Sequence, residues 1–264
     1  MPAGDGAGRA NTYDLDAPVW PARIACVDVA LALQLGWRDF RTAPGPGLVI
    51  AAILTAFGLA LAAMVLRHGA GALLVPLTGG FALVGPFAAV GHYRVSRRLE
   101  LGLATPWWRT PALVAGPRAA AVLGLGLGVT ALMFAWLGAA ALLMRLMLPP
   151  MGAPDDLALA LLATPDGHRL LLVGSAVGAA FAFPVFAVSV AAFAMLVDRD
   201  VDIVTAAVTS CAAVARNPGP MALWACVVAT TLVLAALPVM LGLLVALPVL
   251  GHATWHLYRR LIVS

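Results

Sequence analysis

From Gly219 to Tyr258 the chain runs about forty residues without one charged side chain. A helix that crosses a bilayer needs roughly 20 mostly apolar residues, so this stretch is two crossings long. Pro238 falls at its middle, where a proline breaks the helical hydrogen-bond ladder. The stretch predicts a tight helical hairpin, 219–237 and 239–258. No globular core has room for such a segment, and composition says the same of the whole chain. Of its 264 residues, 62% are hydrophobic and 11% are charged, whereas a soluble domain carries about 25% charged residues. Bilayer must take the place of water around most of this surface.

Four more apolar segments have spanning length, at 47–66, 73–93, 119–144 and 170–197. The predicted fold is therefore all-α and polytopic, with six transmembrane helices arranged as three hairpins. Residues 1–46 form an N-terminal cytoplasmic segment, 47–258 the membrane domain and 259–264 a short cytoplasmic tail. The first 46 residues contain Asp5, Asp14, Asp16, Asp28 and Asp39 without a continuous apolar core. That pattern is unlike a signal peptide, and insertion through the first span is expected.

All sixteen basic residues are arginine, and they give the orientation. With the N-terminus inside, thirteen of them fall on the cytoplasmic side, and only Arg67, Arg145 and Arg169 on the other. That bias follows the positive-inside rule and places both termini in the cytoplasm. The net charge of +4 is small and no basic run is dense, so nucleic acid is not an expected partner. Cys26, Cys211 and Cys226 have no CxxC spacing, which argues against a disulfide framework or zinc site.

Two segments read as interfacial helices that precede spans. One is IACVDVALALQLGWRDFR (24–41), interrupted by Asp28, Gln34, Arg38 and Asp39. The other is DRDVDIVTAAVTSCAAVARNPGP (198–220), with Val201, Val204, Val208, Cys211 and Ala215 on one apolar face. Asp198, Asp200 and Asp202 lie where a helix N-terminus favours negative charge. Each segment ends in a proline–glycine corner, RTAPGPG at 41–47 and RNPGP at 216–220, with a looser version in TPWWRTPALVAGPR at 105–118. The chain thus reads as three units of interfacial helix, corner and hairpin, although corners favour Pro and Gly in any fold. Gly124 with Gly128 and Gly174 with Gly178 have the GxxxG spacing of close helix contacts. Pro184 and Pro248 should kink the fourth and sixth spans.

No Asp, Glu or Arg lies within the six spans as drawn, which counts against a carboxylate-driven carrier. No nucleotide loop, nucleophile elbow, zinc-protease motif or catalytic carboxylate pair occurs, so no enzyme is expected. His252 and His256, four apart in GHATWHLYRR (251–260), share one helix face. The topology brings His92 and Cys226 to similar depth, making His252, His256, His92 and Cys226 the candidate metal ligands. Imidazole and thiolate suit copper, zinc or haem iron. The competing reading makes Trp255 and Tyr258 an aromatic belt and Arg259 and Arg260 its anchors, with the histidines purely structural. Met144, Met147 and Met151, with His168 nearby, form a second and weaker copper candidate. The segment 155–165 reads as a short surface helix closed by Pro165.

LGWRDFRTAPGPGL, GPFAAVGHYRVSRRLELG, LVDRDVDIVTAAVTSCAAVARNPGPMALW and LPVLGHATWHLYRR occur in this order across roughly residues 35–262. In these motifs the chain resembles a bacterial integral-membrane family, domain of unknown function 2189. The resemblance implies a multi-pass protein of the bacterial cytoplasmic (inner) membrane. Some members carry the label of a cytochrome c oxidase subunit. A haem–copper catalytic core needs more histidines than the five present, so the label would fit only an accessory or assembly role. The expected function is a non-enzymatic accessory, scaffold or assembly protein, in contact with lipid and with a respiratory complex or further copies of itself. The alternatives are a small transporter or channel for a metal or uncharged solute, and a haem or copper binder through His252 and His256.

Overall fold

The computed structural model describes residues 21–68, 85, 89–110, 118–147 and 161–263. Among these residues every regular element is a helix. In chain order they are α1 (Cys26–Thr42), α2 (Pro44–Arg67), α3 (Val90–Glu100), α4 (Ala119–Met147) and α5 (Pro165–Ser189). Then follow α6 (Ala192–Asp198), α7 (Ile203–Arg216), α8 (Pro218–Ala236) and α9 (Leu243–Leu261). A 3-10 turn, Trp107–Arg109, follows α3.

Four stretches among the described residues are long and apolar enough to cross a bilayer: α2, α4, the run Pro165–Asp198 through α5 and α6, and α8. They correspond to the first, third, fourth and fifth expected spans. The second lies largely outside the described residues. The sixth, α9, is not among the four; its second half carries His252, His256, Arg259 and Arg260, and most of that half packs inside the protein. The spanning helices turn large apolar side chains outward, as Leu127, Phe134 and Leu172 show, the arrangement that lipid favours.

The corners are built as the sequence suggests. Ala43 (φ −137°, ψ 67°) and Asn217 (φ −129°, ψ 52°) have nearly the same backbone, each followed by proline at the first helical position. That position needs no N–H donor, so each corner ends one helix and starts the next with little loss. The third corner lies partly outside the described residues. Between α8 and α9 the chain turns over Leu237–Gly242, around Pro238. A Cβ on Gly242 would sit 2.6 Å from the Ala235 carbonyl oxygen, which explains a glycine there. Pro165 opens α5 behind its N-cap, Thr164, whose hydroxyl accepts from the Gly167 amide at 3.0 Å. The span thus starts at the proline assigned from sequence to a surface-helix end.

The most extensive helix contact joins α1 to α9. The two run antiparallel, with Asp28 beside Arg260 and Gly36 against Ala253. A Cβ on Gly36 would lie 2.5 Å from the Ala253 amide nitrogen, so only glycine allows this approach. Buried from Ala192 to Leu196, α6 packs on α3, α4, α7 and α9. Its break from α5 is held by Ser210, whose hydroxyl accepts from the Ala191 amide at 3.1 Å. The apolar face of α7 read from the sequence is turned outward at Val204 and Val208, both exposed. Ala206, Ser210 and Ala213 form the buried side, because small residues permit closer approach to α5 and α6. The GxxxG pairs each contribute one contact. Gly124 meets Ile203 and Gly178 meets Trp136, whereas Gly128 and Gly174 face open space.

Replacing Gly36 with alanine should lower the thermal unfolding midpoint of the detergent-solubilised protein, with a cost of about 1–3 kcal/mol for overpacking. An unchanged midpoint would mean that α1 is not docked as described.

Candidate functional site

The motifs that stood out in the sequence meet at one place, where the ends of α3, α6 and α9 come together with α1. Each residue of the stretch 251–256 makes a distinct contact. Gly251 lies under His92, where a Cβ would meet the His92 side chain at 2.8 Å. His252 Nδ1 and Ser96 Oγ share a hydrogen bond of 2.8 Å. Ala253 receives Gly36, and Thr254 donates to the Leu250 carbonyl at 2.7 Å. Trp255 Nε1 donates to Glu100 Oε1 at 2.9 Å, and His256 Nε2 donates to Asp39 Oδ2 at 2.7 Å.

The DRDVD stretch works the same way. Asp198 receives Tyr258 (2.9 Å), Arg97 (3.2 Å) and Arg259 (3.2 Å), joining the ends of three helices at one carboxylate. Arg199 reaches the Tyr258 hydroxyl at 3.3 Å and the Ile262 carbonyl at 3.4 Å. Asp200 pairs with Arg118 at 3.2 Å, while the Arg118 guanidinium also donates to the Arg199 carbonyl. Only Asp202 caps a helix, accepting from the amides of Val204 (2.8 Å) and Thr205 (2.9 Å). The hydroxyl and amide of Thr205 hold the Asp202 carboxyl below its ordinary range. The assignment of all three aspartates to one helix N-terminus is thus corrected, since Asp198 ends α6 and Asp200 faces α4. Asn217 of RNPGP accepts from the Ile24 amide at 2.8 Å and donates to the carbonyls of Ala22 (2.9 Å) and Ala213 (3.0 Å).

The aromatic-belt reading is also corrected. Trp255 and Tyr258 are buried, and their polar atoms serve Glu100 and Asp198. Arg259 pairs with Glu100 and Asp198, and Arg260 with Asp28 at 2.5 Å. Exposed indoles occur elsewhere, at Trp37, Trp107 and Trp108.

The four candidate ligands divide. His92 and His252 are buried and stand edge to face, with ring centroids 5.5 Å apart. Neither ring nitrogen of His92 makes a hydrogen bond of good geometry, nor does His252 Nε2. His256 lies one turn along α9, tied to Asp39. Cys226 is exposed on α8, apart from this buried row. Among the described residues no three or more His, Cys, Asp or Glu side chains are set to hold one metal ion. His168 bonds to the Leu162 carbonyl at 3.0 Å. Met144 and Met147 belong to α4, and Met151 lies outside the described residues.

Chemically, the arrangement is a chain of polar groups from His252 through Ser96 and Asp39 to His256, ending beside the partly exposed Glu100. Sequence reasoning singled out the histidines and missed Asp39, Ser96 and Glu100 as their partners.

Residues 74–198 match the model of a family described as predicted integral membrane protein (DUF2189). The family likeness read from the motifs is borne out over that segment. No curated protein and no solved structure matches the chain.

Burial alone would raise the Asp39 carboxyl, but the hydrogen bond and charge of His256, with Ser96 and His252 adding, hold it below its ordinary 3.8. A carboxyl held lower in the folded chain stabilises it above the ordinary value. That contribution disappears as pH falls through the folded value. The thermal midpoint should therefore fall below about pH 4, and Asp39→Asn should flatten that part of the profile. An Asp39→Asn protein with the parent's acid profile would contradict the assignment.

Proposed function

We propose that this integral membrane protein is a non-enzymatic accessory or assembly scaffold for other helices of the bacterial inner membrane. A respiratory complex of the cytochrome oxidase class is the partner suggested by the family resemblance. The observation that carries the reading is the disposition of its polar side chains. Within the knot formed by α1, α3, α6 and α9, Asp28 bonds Arg260, Asp39 bonds His256, Glu100 bonds Trp255, and Asp198 bonds Arg97, Tyr258 and Arg259. They leave no open grouping of acid, base and nucleophile among the described residues. By the positive-inside bias this knot lies at the cytoplasmic face, and both termini with it.

The spans offer the complementary half of the argument. Within their most apolar windows, α2 and α4 are each 22% buried and α8 is 17% buried. Helices in lipid associate through close packing of small residues, and nothing lies within 4 Å of a Cβ placed on Gly128, Gly138 or Gly174. These faces suit a second membrane protein or another copy of the chain. Purification in a mild detergent should retain a partner in stoichiometric amount. Gly128→Leu should release that partner without moving the thermal midpoint. Recovery of a lone monomer from native membranes would defeat the scaffold reading.

One observation favours a second reading, a haem or copper ion held by His92 and His252. Their three ring nitrogens without good hydrogen bonds are buried, a costly state for polar atoms. The residues fit the group only in part, since His256 is engaged by Asp39 and Cys226 is exposed. Metal analysis and an optical spectrum of the purified chain test it. Metal present in the parent and lost in His252→Ala would support the site; equal content in both, or none, would remove it.

A further inference from the structure

Between α3, α5, α8 and α9 lies a crevice of about 410 Å³, within the roughly 300–1,000 Å³ typical of ligand sites. Alanines at 179, 182, 225 and 229 leave the space open, and Phe183, Phe186 and Trp224 form its walls. One end is accessible, with Ala179, Phe183 and Ala229 exposed. The other is closed by Tyr93, Ser189 and Trp224, all buried. Two of the bounding helices carry a proline within the lining stretch, Pro184 in α5 and Pro248 in α9. Prolines favour helix bends, and both of these prolines fall within the stretches that line the crevice.

The polar groups that reach it are already engaged. The Tyr93 hydroxyl bonds with Thr254, Thr254 donates to the Leu250 carbonyl, and Ser189 donates to the Val185 carbonyl at 2.6 Å. Water needs two to four polar partners, and apolar cavities stay dry. A polar solute would meet the same lack of partners. The mouth, meanwhile, opens beside spanning helices whose surroundings are hydrocarbon. We propose that this crevice is a binding site for the hydrocarbon chain of a membrane lipid, which enters between α5 and α8 with its end directed toward Tyr93. The proposal does not depend on the scaffold reading.

The full chain, reconstituted in vesicles, can be photolabelled with a phospholipid bearing a diazirine at the end of one acyl chain. A parallel sample receives the matching diazirine fatty acid. Peptide mapping should find label on Phe186 and Trp224, and the two arms identify whether the chain comes from a phospholipid or a free acid. The double substitution Ala182→Phe with Ala225→Phe should abolish that label, while label on the outward-facing Leu127 and Phe134 persists. Ala229→Leu, a smaller change at the mouth, serves the same purpose should the double variant fail to fold. Label confined to outward-facing residues, or wall label that survives both substitutions, overturns the proposal.

Discussion

The contact of α1 with α9 is possible only because Gly36 has no side chain. With the two backbones touching at Gly36 and Ala253, neighbouring side chains come within bonding reach. Asp39 meets His256, Asp28 meets Arg260, and the Ala22 amide donates to the Leu261 carbonyl at 2.7 Å. These are joins across more than two hundred residues of chain. The rest of the polar knot is arranged around this pair.

The inside-out character of the molecule follows from two solvents acting on one chain. In the spans, apolar side chains gain nothing by turning inward, so small residues mediate contact and large ones face out. In the knot, buried charges persist only if paired and hydrogen-bonded, and the aspartates there meet that condition. Asp198 receives three donors from two helices. Its position at the end of the buried α6 puts it within reach of α3 and α9 together.

Much of the architecture was legible because the signals are local. Apolar length marked α2, α4, α5 and α8, while Pro238 marked the turn, and Pro44 and Pro218 the corners. What escaped depends on facing. Depth along a helix placed Cys226 near the histidines, but rotation about the helix axis turns it outward. The Val204 and Val208 stripe identified an amphipathic helix without revealing that small residues opposite would claim the packed side. Trp255 and Tyr258 had the composition of a membrane-interface pair, and only tertiary contacts with Glu100 and Asp198 account for their burial. The second span lies mostly outside the described residues.

The pairing of α1 with α9 also bears on how the protein is made. During synthesis α1 emerges long before α9, separated from it by every span in between. Its buried face, including Asp39, must stay unsatisfied or be shielded until Ala253 and His256 have been inserted. The knot can close only after the spans are in place, so its closure separates complete chains from truncated ones. A chain cut before Leu243 would keep its apolar helices yet leave the Gly36 and Asp39 side of α1 uncovered.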